Sequence, residues 1–229
     1  MKFIRRCLIK NNDIRQMEEL YNQRKDYTQN ILLESDAKNH PIDQLNDWLM
    51  DAQKDGVHDF NAMTLSTIGD RGYPHSRIVL LREATHSGLV FYTNYESDKG
   101  KEIALNDKVG VNFFWNNLER QVRVTGVVKR MGDAESDAYF ASRPRENQIG
   151  AWASPQSKAV HSREELERLF QETTDRFAGQ EVPRPSYWGG YRIIPHYFEF
   201  WQGRPSRLHD RLVYQVDADF EWCKIRLAP

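Results

Sequence analysis

The sequence has few cysteines, no excess of charge of one sign and no long apolar run. Its two cysteines, Cys7 and Cys223, form no Cys-x-x-Cys pair, which argues against a zinc site and a disulfide scaffold. Because 32 basic residues nearly balance 33 acidic ones, bulk binding to nucleic acid or to a membrane surface is not expected. The apolar stretch around Cys7 is too short for a signal peptide, and no run has transmembrane length. We therefore expect a soluble, cytoplasmic protein with room for a sizeable core.

Several catalytic motifs are also missing. The sequence contains no GxGxxG, Walker loop, HExxH or GxSxG motif, which excludes the usual signs of dinucleotide, phosphate-loop, metalloprotease and hydrolase sites. Its histidines, among them His58, His86 and His161, show no metal-ligand spacing, so no metal site is predicted. Function must therefore be sought in local clusters of basic and hydroxyl side chains.

From residue 62 onwards, short runs of β-branched and aromatic residues alternate with turn residues. This pattern is typical of antiparallel strands that close into a barrel. The predicted strands are Ala62–Ile68, Ser76–Leu81, Leu89–Thr93, Val109–Trp115, Gln121–Lys129, Tyr197–Trp201, Arg211–Gln215 and Trp222–Leu227. The fold class is therefore mainly β with flanking helices (α+β).

Helix signals lie before and between these strands. Pro41 opens a helix that Gly56 ends, Ser97 caps a second helix, and Asp133 caps a third that carries Tyr139. The first helix has a predicted apolar stripe at helical spacing: Ile42, Leu45, Trp48, Leu49 and Ala52. Ser162 begins a capping box, followed by an apolar stripe of Leu166, Leu169, Phe170 and Phe177. The chain is predicted to divide into a polar, mobile N-terminal segment, residues 1–40, and a single domain, residues 41–229.

Three polar side chains near the end of the chain are the most informative cluster. Arg207, His209 and Arg211 alternate beside the aromatic pair Phe200 and Trp201. On an extended segment the three would share one face. Such a face would suit a planar, anionic ligand, but it would equally suit an edge strand kept charged to discourage aggregation. Spacing alone does not separate these two interpretations.

Further basic residues recur beside hydroxyl and amide side chains. Arg77 and Arg82 flank an apolar strand, and Lys99 lies at a predicted helix start, where phosphate is favoured. Tyr139 and Arg143 are four residues apart and would share a helix face if the helix continues that far. Each segment alone is better explained as a solvated charged surface. Together they indicate more than one anion site.

A series of ordered segments carries a family resemblance: Arg77–Leu81, Phe91–Asn94, Glu119–Val122, Tyr139–Arg145, Gln148–Trp152, Gln156–Ser157, Tyr187–Gly190, Phe200–Gly203, Arg207–Arg211 and Arg226–Pro229. With these segments in this order, the chain resembles the pyridoxine (pyridoxamine) 5'-phosphate oxidase family over roughly residues 20–229. Motifs this numerous and ordered are far more specific than one isolated match. The resemblance implies a split β-barrel that binds FMN, and a homodimer with FMN at the subunit interface.

The resemblance also implies a reaction and its sites. The family oxidises pyridoxamine and pyridoxine 5'-phosphates to pyridoxal 5'-phosphate: a hydride passes from C4' to flavin N5, and O2 reoxidises the flavin to give H2O2. The FMN site would comprise Arg77, Ile78, Val79, Leu80, Leu81, Arg82, Tyr92, Thr93, Lys99, Gln121, Gln156, Ser157, Trp201 and Arg211. The substrate site would comprise Arg24, Tyr27, Arg82, Tyr139, Arg143, Asn147, Arg207 and His209. Arg24 and Tyr27 would form an N-terminal lid, and Arg207 and His209 would be catalytic as positioning and proton-handling groups.

Three positions depart from the family pattern. Arg82 stands where lysine is usual, Asn147 where serine is common, and Asp98 where a basic residue commonly precedes Lys99. The first two keep hydrogen-bond donors, whereas Asp98 sets a negative charge near the expected FMN phosphate unless it caps the helix and turns outward. These changes are expected to alter affinity rather than reaction type.

One alternative function belongs to a different class. The fold also suits a flavin-binding protein without oxidase activity, or a flavin reductase acting on another substrate, because a fold does not fix a function. A protein that only binds flavin would not need Tyr139, Arg143, Arg207 and His209 together, so these four residues favour the oxidase.

Overall fold

The structure is a computed structural model that describes residues 21–22 and 26–229. The strands are β1 (Ala62–Ile68), β2 (Pro74–Leu80), β3 (Glu83–Thr85), β4 (Gly88–Asn94), β5 (Lys108–Trp115), β6 (Arg120–Arg130), β7 (Trp188–Gln202), β8 (Asp210–Val216) and β9 (Trp222–Leu227). The helices are α1 (Pro41–Lys54), α2 (Asp98–Leu105), α3 (Asp133–Ala141), α4 (Arg145–Ala153) and α5 (Arg163–Arg176). The predicted mainly β fold class is confirmed. Over the described ranges, no helix is both long enough and apolar enough to cross a membrane.

All nine strands pair antiparallel in one sheet. Its main path runs β2-β1-β5-β6-β7-β4-β3, and β8 pairs with both β7 and β9. Strands β1, β5 and β6 show largely alternating burial, because one face of each lies on the core. The sheet is therefore the scaffold on which the helices and the long loops are placed.

Strand β7 organises the sheet because three other strands pair with it. Along one edge it pairs with β6 over nearly its whole length. Along the other edge its first part, Trp188–Ile193, pairs with β4, and its last part, Tyr197–Gln202, pairs with β8. Pro195 lies between these parts, where a proline is tolerated because neither β4 nor β8 pairs with it and the register with β6 shifts. The sheet thus divides at Pro195 into two branches that share β6 and β7.

The main core lies between the sheet and α1. Pro41 opens α1 and His40 caps it, accepting the backbone N–H of Ile42 at 3.2 Å. Trp48 meets Phe200 of β7 edge-on, with 5.2 Å between the ring centroids. The apolar stripe predicted for this helix is buried as a whole: Ile42, Leu45, Trp48, Leu49 and Ala52.

A smaller apolar cluster lies beside the first branch of the sheet. It joins α3, α4 and the start of β7 through Phe140, Ile149, Phe177, Val182 and Trp188. Helix α5 contributes less than its stripe predicts. Ser162 caps it by accepting the N–H of Glu165, as predicted, but no residue of the helix itself is buried.

The structure differs from the sequence prediction at several places. Arg207 does not lie on an extended segment: residues Pro205–Arg207 form a 3-10 turn, and the φ angle of Arg207 is 62°. The helix that carries Tyr139 ends at Ala141, so Arg143 does not share it, and its N-cap is Gly132 rather than Asp133. Strand β3 and helix α4 were not predicted. Strand β7 begins at Trp188, well before the predicted start.

Candidate active site

A cavity of about 470 Å3 opens between β2, β4, α2 and α3. It brings together residues that are far apart in sequence, and all of them except Trp188 were predicted as site residues. Its lining comprises Arg77, Ile78, Val79, Leu80, Arg82, Tyr92, Thr93, Lys99, Tyr139, Arg143, Gln156, Ser157 and Trp188. Leu81, predicted with this group, instead belongs to the buried core.

Lys99 is a buried cation at the start of α2. Its Nζ donates to Thr93 Oγ1 and Ser97 Oγ, each at 3.3 Å, and to Gln156 Oε1 at 3.4 Å. All three acceptors are neutral, and no ion pair to Nζ is found within the described residues. Burial lowers the pKa of Lys99, and the charge of Arg77 adds to this effect. An anion bound here would compensate a buried charge that the protein leaves without a counter-ion.

Arg77 lies beside Lys99 but has a counter-ion. Its Nη2 donates to Glu102 Oε2 at 2.9 Å, and its Nη1 donates to Thr67 Oγ1. His75 Nδ1 lies 2.5 Å from the other carboxylate oxygen of Glu102. Burial alone would raise the pKa of Glu102, but hydrogen bonds from Thr67, His75 and Arg77 hold it below its ordinary value. Lys99 is therefore the less compensated of the two cations.

An aromatic stack forms the opposite wall of the cavity. The ring of Tyr92 stacks on Tyr139 with 3.7 Å between centroids, and on Trp188 at 5.6 Å. The guanidinium of Arg143 lies 4.5 Å from the Trp188 ring centroid, and that of Arg82 lies 6.0 Å from the Tyr139 centroid. Two arginines thus flank one aromatic surface.

Arg143 carries an unsatisfied donor. Its Nη1 is buried and has no hydrogen-bond partner among the described residues. Burial lowers the pKa of Arg143; Tyr139 opposes this effect and the nearby Arg82 adds to it. A buried guanidinium donor without an acceptor is rare in native proteins and indicates a missing anionic or polar partner.

The first turns of α4 and α2 hold two of the three positions that depart from the family pattern, Asn147 and Asp98. Asn147 is exposed and lines an adjoining cavity of about 530 Å3 together with Glu146 and Arg143. The side chain of Asp98 is exposed, and Ser97 rather than Asp98 caps α2. The backbone N–H of Asp98 donates to Ser157 Oγ at 3.2 Å. The carboxylate of Asp98 therefore turns outward without being the cap.

A second group of predicted residues lies on the other branch of the sheet. Trp201 of β7 is in register with Gln121 of β6 on one side and with Arg211 of β8 on the other. Cross-strand neighbours in one row face the same side of a sheet. The three residues therefore form one continuous surface, which we call the Gln121–Trp201–Arg211 row.

His209 and Tyr27 extend this row. The His209 ring lies 4.7 Å from the Trp201 ring, and Tyr27 contacts both rings edge-on at 5.5 and 5.6 Å. His209 Nδ1 accepts the backbone N–H of Arg204 at 3.1 Å, so the neutral ring carries its proton on Nε2. Burial lowers the pKa of His209, and the positive charge of Arg207 lowers it further, against Asp210. The structure thus favours a neutral His209 that can donate from Nε2.

The two remaining predicted substrate residues are Arg207 and Arg24. Arg207 is exposed, and both it and Ser206 have positive φ angles, 62° and 56°, in a tight turn before β8. Arg24 lies outside the described residues. Of the predicted lid pair, the structure therefore describes only Tyr27.

The two groups of site residues do not meet within one chain. The cavity that holds Lys99 and Arg143 is lined by none of Gln121, Trp201 or Arg211 among the residues that the structure describes. The first group depends on β2, β4 and the helices, whereas the second depends on β6, β7 and β8. Each group therefore forms a separate surface of this chain.

Sequence reasoning missed residues that support these groups. Glu102 holds Arg77, Trp188 carries the stack, and the buried Glu199 binds Arg211. Glu199 had one visible signal, since it is a charged residue in the otherwise aromatic run Phe198–Trp201.

Sequence reasoning also missed a cluster of His40, Asp43 and His86, whose ligand atoms lie within 4.8 Å of one another. In this cluster the two imidazoles stack at 3.8 Å, and His40 Nδ1 already accepts the N–H of Ile42. His86 Nε2 lies 2.9 Å from Asp43 Oδ1, so both histidines have a hydrogen-bond partner in this cluster.

Comparison with known proteins identifies the family of this chain. A family model described as pyridoxamine 5'-phosphate oxidase matches residues 49–177, and one described as the pyridoxine 5'-phosphate oxidase C-terminal dimerisation region matches residues 188–229. A relative from Synechocystis sp. named pyridoxine/pyridoxamine 5'-phosphate oxidase is 50% identical, over 90% of this chain and 96% of its own length. Another with the same name, from Cupriavidus pinatubonensis, is 48% identical over 93% of this chain and 100% of its own length.

Solved structures agree with these sequence matches. PhzG from Burkholderia lata, in complex with tetrahydrophenazine-1-carboxylic acid, is 29% identical and aligns with a TM-score of 0.81 over 87% of this chain and 98% of its own. A pyridoxamine 5'-phosphate oxidase-related, FMN-binding protein from Nostoc punctiforme has the same fold, with a TM-score of 0.65 over 84% of this chain and 100% of its own, at 14% identity.

Proposed function

The chain belongs to the pyridoxamine 5'-phosphate oxidase family, and from this premise we propose that it oxidises pyridoxamine and pyridoxine 5'-phosphates to pyridoxal 5'-phosphate. FMN is the cofactor and O2 the final electron acceptor. Bound FMN supplies a two-electron acceptor, the flavin N5, for the hydride that leaves the substrate C4'. The protein supplies binding, orientation and control of charge.

The pocket around Lys99 fits the FMN phosphate. Lys99 is a buried ammonium that has only neutral acceptors, and a phosphate is the anion that a helix N-terminus and a lysine bind together. Gln156 and Ser157 supply further hydrogen-bonding groups at the same edge of the cavity. Arg77, whose terminal nitrogens are already bonded, contributes charge and fixes the wall of this pocket.

The observation that carries the substrate assignment is the unsatisfied Nη1 of Arg143. Arg143 and Arg82 flank the Tyr92–Tyr139 stack, so a phosphorylated aromatic substrate would find two cations beside an aromatic surface. Asn147 lies at the rim of the same region and can add an amide donor. Arg82 in place of the usual lysine retains both charge and donors.

A homodimer would join the two half-sites. The C-terminal dimerisation region includes Trp201 and Arg211, two of the three residues of the Gln121–Trp201–Arg211 row. If the partner's row faces the Lys99 cavity, both halves of the site are completed at the interface. His209 and Arg207 would then reach the substrate from the partner chain, with the neutral His209 donating from Nε2 to orient the substrate rather than acting as a strong base.

A second function in this family involves a different ligand. The PhzG structure holds tetrahydrophenazine-1-carboxylic acid, a ligand without a phosphate group. The paired Arg82 and Arg143 beside the aromatic stack favour a phosphorylated substrate for this chain.

The test is direct. The purified protein should be yellow with noncovalent FMN, and anaerobic addition of pyridoxamine 5'-phosphate should bleach the flavin absorbance. Pyridoxamine without phosphate is the matched control and should bleach it far more slowly. A protein that stays flavin-free after incubation with FMN, or a bound flavin that neither phosphate ester reduces, would contradict the proposal.

A further inference from the structure

Glu199 is a buried carboxylate in the middle of β7. Only 3% of its surface is exposed, although it lies on the opposite face of β7 from the core residue Phe200. Three side chains bond to it: Arg211 Nε donates to Oε1 at 2.9 Å, and Tyr197 OH and Arg123 Nη1 donate to Oε2 at 3.1 and 3.2 Å. A carboxylate buried outside the core needs such partners, because an unpaired charge there would be strongly destabilising.

The sheet register explains how these partners meet. Glu199 is in register with Arg123 of β6 and with Val213 of β8, one row behind the Gln121–Trp201–Arg211 row. Arg211 is the diagonal neighbour of Glu199, a spacing that long side chains can bridge. Glu199 therefore contacts Arg211 of this row from the neighbouring row of the sheet.

Arg211 is fixed at two of its three guanidinium nitrogens. Its Nε donates to Glu199, and its Nη1 donates to the carbonyl oxygen of Ala228 at 2.7 Å. Over the described residues, Nη2 has no hydrogen-bond partner. A planar guanidinium held at two points has a set orientation, so Nη2 is the donor that remains for a ligand.

We propose that Glu199 is a positioning residue of the FMN site, which orients Arg211 and offsets part of the positive charge that Arg123 and Arg211 place beside the flavin. The inference rests on the proposed function, since it takes Arg211 as a contact of FMN. Hydrogen bonds support the ionised state of Glu199: burial alone would raise its pKa, but the bonds from Arg211 and Tyr197 hold it below the ordinary value.

Two variants of Glu199 separate orientation from charge. Glu199→Ala removes both, so the Kd of the protein for FMN should rise roughly tenfold or more, the scale of one charged hydrogen bond. Glu199→Gln keeps an acceptor for Arg211 Nε and should recover most of that affinity. It also leaves the two arginines without a negative partner, so the flavin midpoint potential should become more positive. A residue with only a structural role would not move the potential.

Two controls test whether Glu199 acts through Arg211. Glu34→Gln breaks a more exposed carboxylate–arginine pair, with Arg226, that does not involve Arg211, and it should leave both the FMN Kd and the potential unchanged. In an Arg211→Ala background, Glu199→Ala should weaken FMN binding no further, because its effect passes through Arg211.

The outcomes distinguish this inference from the proposed function. If Arg211→Ala binds FMN as tightly as the parent, the assignment of Arg211 to FMN fails. If Arg211→Ala weakens binding but Glu199→Ala does not, or does so equally in both backgrounds, the positioning role of Glu199 is overturned and the proposed function stands. If Glu199→Ala does not fold, the Glu199→Gln potential decides, and an unchanged potential overturns the inference.

Discussion

Replacing Lys99 by methionine should separate binding of the FMN phosphate from binding of the flavin ring. Methionine keeps an unbranched apolar stem and removes the buried ammonium. The neighbouring groups keep other partners: Ser97 Oγ donates to Asn94 O, and Thr93 Oγ1 donates to Gln156 Oε1. The substitution therefore removes a charge without leaving new unsatisfied groups in the pocket.

The size of the effect follows from the contact that is lost. A hydrogen bond to a charged group contributes about 1.5–3 kcal/mol, so the Kd for FMN should rise roughly ten- to a hundredfold. Riboflavin has no phosphate, so its Kd should change little. Titration of the apoprotein with each flavin, followed by the quenching of flavin fluorescence, measures both values.

The same substitution should weaken FMN binding without lowering the stability of the apoprotein. Because the pKa of Lys99 is lowered in the folded apoprotein, the unfolded chain holds this proton more strongly, and apoprotein stability should rise as the pH rises toward the ordinary value of 10.5. Lys99→Met should lose that pH dependence and should melt no lower than the parent at pH 7.

The control for this experiment lies on the same helix. Lys101 is exposed, so Lys101→Met should leave the affinity for both flavins unchanged. The reasoning is refuted if Lys99→Met binds FMN as the parent does, or if its affinity for riboflavin falls as far as its affinity for FMN.

Other consequences of the site can be checked separately. Arg143→Ala should raise the KM for pyridoxamine 5'-phosphate roughly tenfold or more while leaving the FMN Kd unchanged, by steady-state kinetics and flavin titration; a parent-like KM would contradict its role at the phosphate. Gly203→Ala would place a Cβ 2.8 Å from the Tyr27 ring and should also raise KM, with apoprotein melting as the check on folding. Because the pKa of His209 is lowered from 6.5, its neutral form is favoured above pH 6.5, and the rate of anaerobic flavin reduction should fall only below that pH. His209→Asn should remove this fall in rate at acid pH, and an unchanged pH profile would exclude His209 as its source. Light scattering should give a dimer, and a monomer that retains all its flavin would count against a shared site.

The strands with regular alternation were predictable from the sequence. The bounds of β1 and β9 agree with the predicted runs, and α1 buries the stripe that its spacing predicts. Strand β3 has only three residues, too few for a period to be visible. Helix α4 begins directly after Pro144, and a proline between two helices signals the end of the first as readily as the start of the second.

The sequence prediction did not include the early part of β7, where Gly189 and Gly190 give no strand signal. Their backbone is in fact part of the strand, and a Cβ at Gly190 would come within 2.9 Å of the Tyr92 ring and closer still to Met131. These glycines allow the aromatic stack to lie close to the sheet. Their sequence signal is that of a turn, and only tertiary packing reverses it.

The site residues themselves were predicted through family resemblance, not through spacing. Spacing could not show that Trp201 lies in register with Gln121, since pairing between distant strands is set by the whole sheet. Spacing also led to the wrong prediction that Arg207 lies on an extended segment, because a positive φ angle at a residue other than glycine has no sequence signal.

The position of β7 has a consequence for how the chain is made. Leu89 of β4 pairs with Ile193, and Arg120 of β6 pairs with Gln202, so both partners are synthesised long before the strand that joins them. Until β7 emerges from the ribosome, β4 and β6 each present an unpaired edge, the kind of surface through which nascent chains associate wrongly. A nascent chain stalled before residue 188 should therefore be prone to aggregation, and productive folding should begin only near the end of translation.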